Sequence, residues 1–238
     1  MSKGSNVRTL IVIPAYNEAD NIVRVVNHMQ EVLPGYDYVV INDGSTDNTR
    51  EICRQNGFHM IDQTVNLGLA GTFQCGMRYG KLHDYDAVVQ FDGDGQHRPE
   101  YIPEMEKKIA EGADIVIGSR FLTKPKPSSM RMLGSNMIQF FTRITTGQKL
   151  SDPTSGMRMY SRRVVRAMAE QINLAPEPDT ISYLMRCGAK AAEVQVEMDE
   201  RIAGESYLTA WRSVQYMASV CVSILFIGAF RKRIPLED

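Results

Sequence analysis

The sequence predicts an α/β protein in which helices cover both faces of a mostly parallel β-sheet. Two observations carry this prediction: strand-like and helix-like segments alternate through the first half of the chain, and Pro, Gly and Asp turn residues separate them. The length of 238 residues fits one large α/β domain, or one domain with a short appendage. We therefore expect one sheet with a substantial buried core.

Each element follows from its residue pattern. An apolar run stops at Pro14, and residues 21–32 then place apolar side chains at helical spacing. The turn at 43–47 supplies a helix N-cap, and Gly57 closes the helix that follows. Pro99 suits the first turn of another helix. The predicted strands are residues 9–13, 36–41, 58–61, 87–91 and 115–117, and the predicted helices are residues 21–32, 48–56, a segment ending near Gly80, and 100–111.

Composition excludes several classes of protein. The formal net charge is −1 and 23% of residues are charged, so no basic field points to nucleic acid. The cysteines lie far apart without paired spacing, which argues against a zinc site or a disulfide framework and favours a reducing, cytosolic compartment. Residues 10–13 are too short for a signal-peptide core, so we expect no export by that route. The cysteines are Cys53, Cys75, Cys187 and Cys221.

The segment Asp-Gly-Asp-Gly-Gln at residues 92–96 directly follows a predicted strand. Asp92, Asp94 and Gln96 alternate along the chain and offer oxygen ligands, while the glycines between them allow a tight turn. This pattern predicts a site for Mg²⁺ or Mn²⁺ bridging a diphosphate. The alternative is an ordinary Asp/Gly turn after a buried strand.

Several polar segments follow the predicted strands. In open α/β sheets, ligands bind beyond the carboxyl ends of the strands. We therefore expect these segments to converge on one crevice. They are residues 14–18, Asp43, residues 66–71 and residues 92–96.

Four motifs follow the strands in order: Pro14-Ala15-Tyr16-Asn17-Glu18, Asn42-Asp43-Gly44-Ser45-Thr46-Asp47, Asn66-Leu67-Gly68 and Asp92-Gly93-Asp94-Gly95-Gln96-His97. Together they resemble family 2 glycosyltransferases of the GT-A fold, which implies a Rossmann-like, mostly parallel sheet flanked by helices. Later motifs at residues 118–120, 152–158 and 201–206 resemble the dolichyl- and polyprenyl-phosphate sugar transferases within that family.

The resemblance implies a role for individual residues. The nucleotide site would comprise Pro14, Tyr16, Glu18, Ile41, Asp43, Gly68 and Asp92. Asp94 and Gln96 would hold the metal, and Arg120 would lie near the diphosphate. The candidates for the acceptor phosphate are Arg131, Arg201 and Ser206. The residues expected to act in catalysis are Asp92, Asp94, Arg120 and Arg201.

Several of these residues have simpler interpretations. Pro14 and Tyr16 would then only shape a turn, Glu18 would lie in a solvated first helical turn, and Asp43 would cap the helix that follows. His97 is interpreted as structural and left out of catalysis. A solvated helical face is the alternative for Arg131, Arg158, Arg162 and Arg163.

The implied reaction is inverting transfer of a sugar from a UDP- or GDP-sugar to polyprenyl phosphate. A divalent ion and Arg120 would stabilise the charge that develops on the leaving diphosphate. A lipid phosphate is already anionic and needs no general base, whereas a sugar hydroxyl would need one, for which Asp152 and Asp179 are candidates. The rival functions are extension of a saccharide or lipid-linked glycan, and a catalytically silent nucleotide-sugar sensor or assembly subunit.

Residues 119–135 are rich in Ser, Lys and Pro and have no clear period. This composition predicts a mobile loop, either a lid over a bound nucleotide or an exposed connector.

The C-terminal part is predicted to form a unit of its own, residues 207–238, after a GT-A domain of residues 1–206. Residues 214–230 carry no charge, their polar members form one helical stripe, and a basic triplet follows at residues 231–233. This pattern favours a helix lying on the cytoplasmic face of the membrane rather than crossing it. The alternatives are a buried terminal helix or one that forms a homo-oligomer.

Overall fold

The computed structural model describes residues 7–127, 130–171, 174–199, 210–227 and 230–236. The strands in these ranges are β1 (Thr9–Ala15), β2 (Asp37–Asn42), β3 (Met60–Asp62), β4 (Ala87–Gln90), β5 (Ile115–Ser119), β6 (Arg158–Ser161) and β7 (Ala191–Gln195). The helices are α1 (Ile22–Val32), α2 (Thr49–Gln55), α3 (Gly68–Leu82), α4 (Ile102–Ala110), α5 (Met130–Thr146), α6 (Arg162–Glu170), α7 (Pro178–Arg186) and α8 (Ala210–Val222). A 3₁₀ turn at Pro99–Tyr101 leads into α4, and a π-helical turn at Ser223–Ile227 extends α8.

The described strands form one seven-stranded sheet in the order β3-β2-β1-β4-β6-β5-β7. All neighbouring strands are parallel except the two pairs that β6 makes, with β4 and with β5. The predicted α/β class and mostly parallel sheet are confirmed, and the predicted strands correspond to β1 to β5. Strands β6 and β7, and the helices after α4 other than the C-terminal one, were not predicted.

Strand β1 shows why both faces of the sheet are covered. Leu10 and Val12 pack into a buried cluster that includes residues of α3 and α6, whereas Ile11 and Ile13 pack into a second cluster that includes residues of α1 and α4. Successive side chains of a strand point to opposite faces, so one unbroken apolar run serves two cores. Full burial of such a side chain contributes about 1.5–3 kcal/mol.

Helix α3 lies close against the sheet because it carries glycine where it crosses two strands. A Cβ atom at Gly76 would stand 2.5 Å from Val12 Cγ1, and one at Gly80 would stand 2.5 Å from Val88 Cγ2. These distances are too short for any side chain, so the two glycines set the approach of the helix. The first turn of α3 is thereby held beside the ends of β1 and β2.

The prediction of a loop over residues 119–135 is wrong in its second part, because α5 begins at Met130. The interval 119–135 contains both a Pro-rich stretch and the start of α5, so its overall composition concealed the helical period. The described part of the connector makes several contacts. Thr123 donates from its backbone nitrogen to Gln195 Oε1 at 2.8 Å, and Lys124 Nζ lies 2.5 Å from Glu197 Oε1. A lid function stays a prediction.

Helix α8 and its π-helical turn occupy the predicted C-terminal segment and pack against α5. Val220, Cys221 and Ile224 form a small buried cluster with Ile138. No helix among the described residues has both the length and the apolar character needed to cross a membrane. The apolar, membrane-facing character of this segment therefore stays a prediction.

Polar contacts fix the C-terminal segment to α7. Tyr216 donates a hydrogen bond to Glu177, and Ser223 Oγ donates to Asp179 Oδ2 at 2.5 Å. Farther along, the Tyr183 hydroxyl donates to the carbonyl of Lys232 at 2.7 Å. The segment is therefore anchored to the rest of the protein at three points.

Candidate active site at the carboxyl edge of the sheet

The loops after β1, β2 and β4 surround a cleft of about 290 Å³ at the carboxyl edge of the sheet. The start of α3 closes its remaining side. The residues that line it are Pro14, Ala15, Tyr16, Glu18, Asp43, Leu69, Thr72, Asp92, Gly93 and Asp94. The structure thus brings together six residues that were predicted for nucleotide or metal binding, which are Pro14, Tyr16, Glu18, Asp43, Asp92 and Asp94.

The cleft concentrates negative charge. Four of its lining side chains are carboxylates and, among the described lining residues, none is basic. Carboxylates that share one site repel one another unless a cation stands between them. Hard divalent cations prefer carboxylate oxygens, so the donor set fits Mg²⁺ or Mn²⁺. Among the described residues, however, no group of three or more His, Cys, Asp or Glu side chains could hold a metal ion by itself.

The loop that carries Asp92 and Asp94 is folded tightly against the first motif. Asp94 is only 6% exposed and its Oδ1 accepts the backbone N–H of Gln96 at 3.0 Å. A Cβ at Gly93 would stand 2.9 Å from the carbonyl oxygen of Pro14, so only glycine permits this approach. The Gln96 side chain turns toward residue 199, with Nε2 3.4 Å from the carbonyl of Asp199, and its role as a metal ligand stays a prediction.

His97 closes this loop. The backbone N–H of Asp92 donates to His97 Nδ1 at 3.0 Å, and His97 Nε2 lies 3.5 Å from Asp92 Oδ2. A backbone N–H can only donate, so Nδ1 must carry the lone pair and the ring proton must sit on Nε2. The ring is 5% exposed. These contacts support the structural interpretation of His97.

Asp43 orders the loop in front of α3. Its Oδ1 accepts the backbone N–H of Leu67 at 2.7 Å. The interpretation of Asp43 as a helix cap is wrong, because Asp47 Oδ1 accepts the N–H of Thr49 at 2.9 Å in the first turn of α2.

Burial alone would raise the pKa of Asp47, but hydrogen bonds from Thr49 and Ala19 lower it below its ordinary value.

Two predicted nucleotide residues lie outside the cleft lining. Ile41 is completely buried in the core cluster that contains Leu10 and Val12, because its side chain points into the face covered by α3. The structure therefore does not bring Ile41 to the cleft surface. Gly68 is the first residue of α3, with a φ of +70° that favours glycine, and its N–H donates to Asn66 Oδ1 at 3.0 Å. It shapes the loop beside the cleft.

Arg120 binds Asp152 through two nitrogens, with Nε 2.7 Å from Oδ2 and Nη2 3.0 Å from Oδ1. It does not line the carboxylate cleft but a separate hollow of about 320 Å³ beside Lys124 and Glu197. Burial would raise the pKa of Asp152, but the hydrogen bonds and charge of Arg120 outweigh it and lower the pKa. An unexposed carboxylate with a lowered pKa is a poor general base.

The other candidate base, Asp179, is also engaged. Its Oδ1 accepts the backbone N–H of Thr180 at 2.9 Å, and its Oδ2 accepts Ser223 Oγ. These contacts tie it to the start of α7 and to the C-terminal segment.

The remaining residues predicted for the acceptor phosphate or for a solvated helical face lie in several different places. Arg131 lies in the first turn of α5, while Arg201 and Ser206 lie outside the described residues. The solvated-face interpretation is wrong for Arg158, which is fully buried and donates to the carbonyls of Pro153 and Pro176. Arg162 and Arg163 form ion pairs at the opposite edge of the sheet, with Asp86 and Asp114.

Two contributions to the site were not predicted. Gly156 belongs to the loop before β6, and a Cβ there would stand 2.9 Å from Asp92 Oδ2, so this loop approaches the acidic segment closely. Asn17 joins the first two motifs through its side chain, with Oδ1 2.9 Å from the backbone nitrogen of Thr46. The position of Asn17 inside the first motif was the available signal.

The sequence from residue 10 to residue 168 matches the model of a family described as glycosyl transferase family 2. The chain belongs to this family. An undecaprenyl-phosphate mannosyltransferase from Micrococcus luteus is 31% identical over 85% of this chain and 88% of its own length. A polyprenol monophosphomannose synthase from Mycolicibacterium smegmatis is 28% identical over 85% of this chain and 81% of its own length.

Solved structures confirm the fold of this family 2 glycosyltransferase. A mannosyltransferase from Pyrobaculum calidifontis, in complex with GDP-Man and Mn²⁺, superimposes with a TM-score of 0.68 over 96% of this chain and 66% of its own, at 17% identity. Glucosyl-3-phosphoglycerate synthase from Mycobacterium tuberculosis, in complex with Mn²⁺, UDP and glucosyl-3-phosphoglycerate, gives a TM-score of 0.66 over 95% of this chain and 82% of its own, at 17% identity. Both likenesses concern the GT-A architecture.

Proposed function

We propose that this family 2 glycosyltransferase transfers a sugar from a UDP- or GDP-sugar to polyprenyl phosphate, with inversion and with a divalent metal, at the cytoplasmic face of the membrane. The observation that carries the proposal is the cleft with four carboxylates at the carboxyl edge of the sheet. The names of the relatives from Micrococcus luteus and Mycolicibacterium smegmatis supply the acceptor class.

The cleft suits the nucleotide end of the donor. Tyr16 is 39% exposed at its rim and offers a ring face to a base, while Glu18 and Asp43 offer acceptors for base and ribose N–H and O–H groups. A diphosphate is itself anionic and would be repelled by these carboxylates without a cation. The proposal therefore includes Mg²⁺ or Mn²⁺ beside the donor, and the complexes of the two solved neighbours contain Mn²⁺.

Asp94 and Gln96 would hold this metal, and Asp92 would contact the ribose or a group bound to the metal. When bound, the ion would supply charge neutralisation for the leaving diphosphate. The chain itself fixes the position of both carboxylates: His97 holds the backbone of Asp92, and the N–H of Gln96 holds Asp94. Arg120 is kept as a diphosphate contact on the strength of its motif, although its guanidinium binds Asp152 in this structure.

A phosphate acceptor agrees with the state of the candidate bases. Asp152 is buried in its pair with Arg120, and Asp179 accepts two hydrogen bonds, so neither is prepared to remove a hydroxyl proton. A lipid phosphate needs cationic groups that align it rather than a base. Arg131, Arg201 and Ser206 remain the proposed contacts for that phosphate.

The surface of α5 supports attachment to a membrane. Four large apolar side chains along this helix are each between 46% and 61% exposed. Their spacing of three to four residues places them on one stripe. They are Leu133, Met137, Phe140 and Ile144, and we call them the α5 stripe. Val222 and Phe226 are also exposed on the neighbouring C-terminal segment.

Apolar burial at ~25 cal/mol per Å², with about 1 kcal/mol for each basic residue near an anionic surface, would hold such a surface on lipid without a membrane span. Arg143 lies on α5 itself, and the basic triplet at residues 231–233 follows the C-terminal segment that packs against α5. The sequence alone predicted membrane contact for the C-terminal segment and gave no such role to α5.

A product assay tests the proposal. The purified protein is incubated with Mn²⁺ or Mg²⁺, a panel of UDP- and GDP-sugars, and a short-chain polyprenyl phosphate. We expect one nucleotide sugar to give a glycosylated lipid phosphate, and we expect EDTA to stop the reaction. Equal activity on the unphosphorylated polyprenol or on a free sugar would move the assignment to saccharide extension, and donor binding without turnover on any acceptor would indicate a silent sensor.

A further inference from the structure

Asn17 stands out because its backbone adopts a rare conformation and its amide oxygen accepts several hydrogen bonds. Its φ is +55°, in the left-handed region that non-glycine residues rarely adopt. Asparagine tolerates this conformation better than most residues because its short amide can bond to nearby backbone. Strain of this kind persists only where the surrounding structure enforces it, and it is concentrated at functional sites.

The amide oxygen of Asn17 accepts hydrogen bonds from the loop that follows β2. Oδ1 lies 2.9 Å from the backbone nitrogen of Thr46, 3.3 Å from Thr46 Oγ1 and 3.3 Å from the backbone nitrogen of Asp47. Backbone N–H groups can only donate, which fixes the oxygen end of the amide toward this loop. One side chain thus serves donors from two consecutive residues.

The backbone of Asn17 extends the connection in the other direction. Its N–H donates to Ser45 Oγ at 3.0 Å, Ser45 Oγ donates to Asn42 Oδ1 at 2.6 Å, and Asn42 Nδ2 donates to Asp62 Oδ1 at 2.7 Å. A continuous series of hydrogen bonds therefore runs from the first loop to the ends of β2 and β3. These ends are parts of the rigid sheet.

The residues on either side of Asn17 line the cleft. Tyr16 and Glu18 face it from the first loop, and Asp43 faces it from the second. Their relative position depends on how the two loops are joined. Asn17 contributes a side-chain connection from the first loop to the second, and Thr49 and Asp47 contribute others by accepting the backbone N–H groups of Glu18 and Ala19. Its own side chain does not line the cleft.

We propose that Asn17 is a positioning residue that joins the first two motif loops and so sets the geometry with which Tyr16, Glu18 and Asp43 receive the nucleotide. This inference rests on the proposed function, because it takes the cleft to be the site of a nucleoside diphosphate. Without this connection, the two loops would have to be ordered when the nucleotide binds, and that cost would lower the affinity for the nucleotide. The rate of the chemical step at saturation would change little.

Asn17→Gly tests this role because glycine accepts the positive φ and removes only the amide. We expect the dissociation constant for UDP or GDP with Mn²⁺, measured by calorimetry, to rise about tenfold, in keeping with the loss of one to three modest hydrogen bonds. The turnover number at saturating donor should fall less than about twofold, and the main kinetic change should be a higher KM for the donor. Asn17→Asp keeps an acceptor oxygen and should restore most of the affinity.

Asp84→Gly is the matched control. Asp84 is the other described non-glycine residue with a positive φ, at +54°, and it lies before β4 at the edge of the sheet opposite the cleft. Its substitution by glycine should leave nucleotide affinity unchanged. Equal affinity in Asn17→Gly and the parent would overturn this inference alone, as would a loss of thermal stability without a loss of affinity. A parent that binds neither UDP nor GDP would overturn the proposed function together with this inference.

Discussion

Arg120 and Asp152 form a two-point ion pair in which Nε lies 2.7 Å from Oδ2 and Nη2 lies 3.0 Å from Oδ1. The backbone N–H of Arg120 reaches the same carboxylate at 3.2 Å, and the carboxylate itself is completely buried. The pair joins the residue after β5 to the loop that leads to β6. It therefore holds together two segments whose motifs had suggested catalytic tasks.

Asp152→Asn should destabilise the fold, because the amide cannot match the charge of the guanidinium that remains beside it. Breaking one side of a largely buried pair should lower the free energy of unfolding by about 2 kcal/mol at neutral pH. Urea denaturation at pH 7 measures this change. Asp84→Asn, which disturbs an exposed pair with Arg162 at 3.4 Å, should change stability very little. Similar losses in both variants would contradict the assignment.

The same pair predicts a dependence of stability on pH. The pKa of Asp152 in the folded protein is lowered below its ordinary value of 3.8, so the unfolded chain takes up the proton first as the pH falls. The contribution of Asp152 is fully present above that ordinary value and is lost as the pH drops through the folded value. Denaturation at a series of pH values should show a shallower acid loss in Asp152→Asn than in the parent. Parallel pH profiles would exclude Asp152 as a source of acid sensitivity.

Asp94→Asn should abolish metal-dependent donor binding while the fold stays intact. The amide oxygen can still accept the N–H of Gln96, so the turn is kept and only the charge is lost. We expect kcat/KM to fall at least about a hundredfold, with a cooperative thermal transition like that of the parent. Glu104→Gln on the exposed side of α4 is the control. Full activity of the parent in EDTA would contradict the metal proposal.

The α5 stripe can be tested without disturbing the core. Phe140→Gln with Ile144→Gln changes two exposed side chains, so thermal stability should stay within experimental error of the parent. Sedimentation with anionic liposomes should weaken at least about tenfold, because each large apolar side chain contributes more than 1 kcal/mol on burial. Leu82→Gln, at an exposed leucine at the end of α3, is the control.

High salt should weaken liposome attachment of the parent only partly, since screening removes the basic contribution and leaves the apolar one. A shortened chain ending near residue 210 is a poorer test than the point variants, because it would uncover Ile138 along with removing the C-terminal segment. Failure of the parent to sediment at low salt would assign the α5 stripe and the C-terminal segment to a protein contact instead.

Arg201→Ala should raise the KM for polyprenyl phosphate much more than the dissociation constant for the donor. The substitution removes a charge-assisted contact with the acceptor phosphate, which we estimate at roughly tenfold or more in affinity. Steady-state kinetics with each substrate varied in turn measures the difference. Lys190→Ala, at an exposed lysine before β7 at the far edge of the sheet, should change neither constant. Equal effects on donor and acceptor would contradict the acceptor assignment.

The sequence revealed β1 to β5 because their apolar runs are bounded by Pro, Gly and Asp. Strand β6 reads Arg-Met-Tyr-Ser and β7 reads Ala-Ala-Glu-Val-Gln, and neither has a clear apolar run or alternation. These two segments form strands because of their neighbours in the sheet, and the local sequence pattern carries no information about those neighbours. The cleft was predictable because the ends of parallel strands share one edge.

Other features depended on contacts between residues distant in the chain. Asp152, the partner of Arg120, lies 32 positions farther along the chain, and helix α5 lies between the two residues in the sequence. Ile41 lies one residue before the end of β2, yet the alternation of side chains along the strand directs it into the core. The burial of Arg158 reflects two carbonyl oxygens that no sequence pattern identifies.

Strand β6 has a consequence for the order in which the protein folds. Strands β4 and β5 do not pair with each other, and β6 lies between them with Arg158 opposite both Gln90 and Ile117. Without β6, the described strands would form two separate pieces, β3-β2-β1-β4 and β5-β7. A nascent chain can complete the first piece from residues 9–90, but β5 can join that piece only after the four-residue strand β6 has been made, and β7 is made later still. Gly156 lies just before β6, so its close approach to Asp92 depends on the pairing of β6 with β4. The acidic loop therefore gains this neighbour only after the first piece of the sheet is complete.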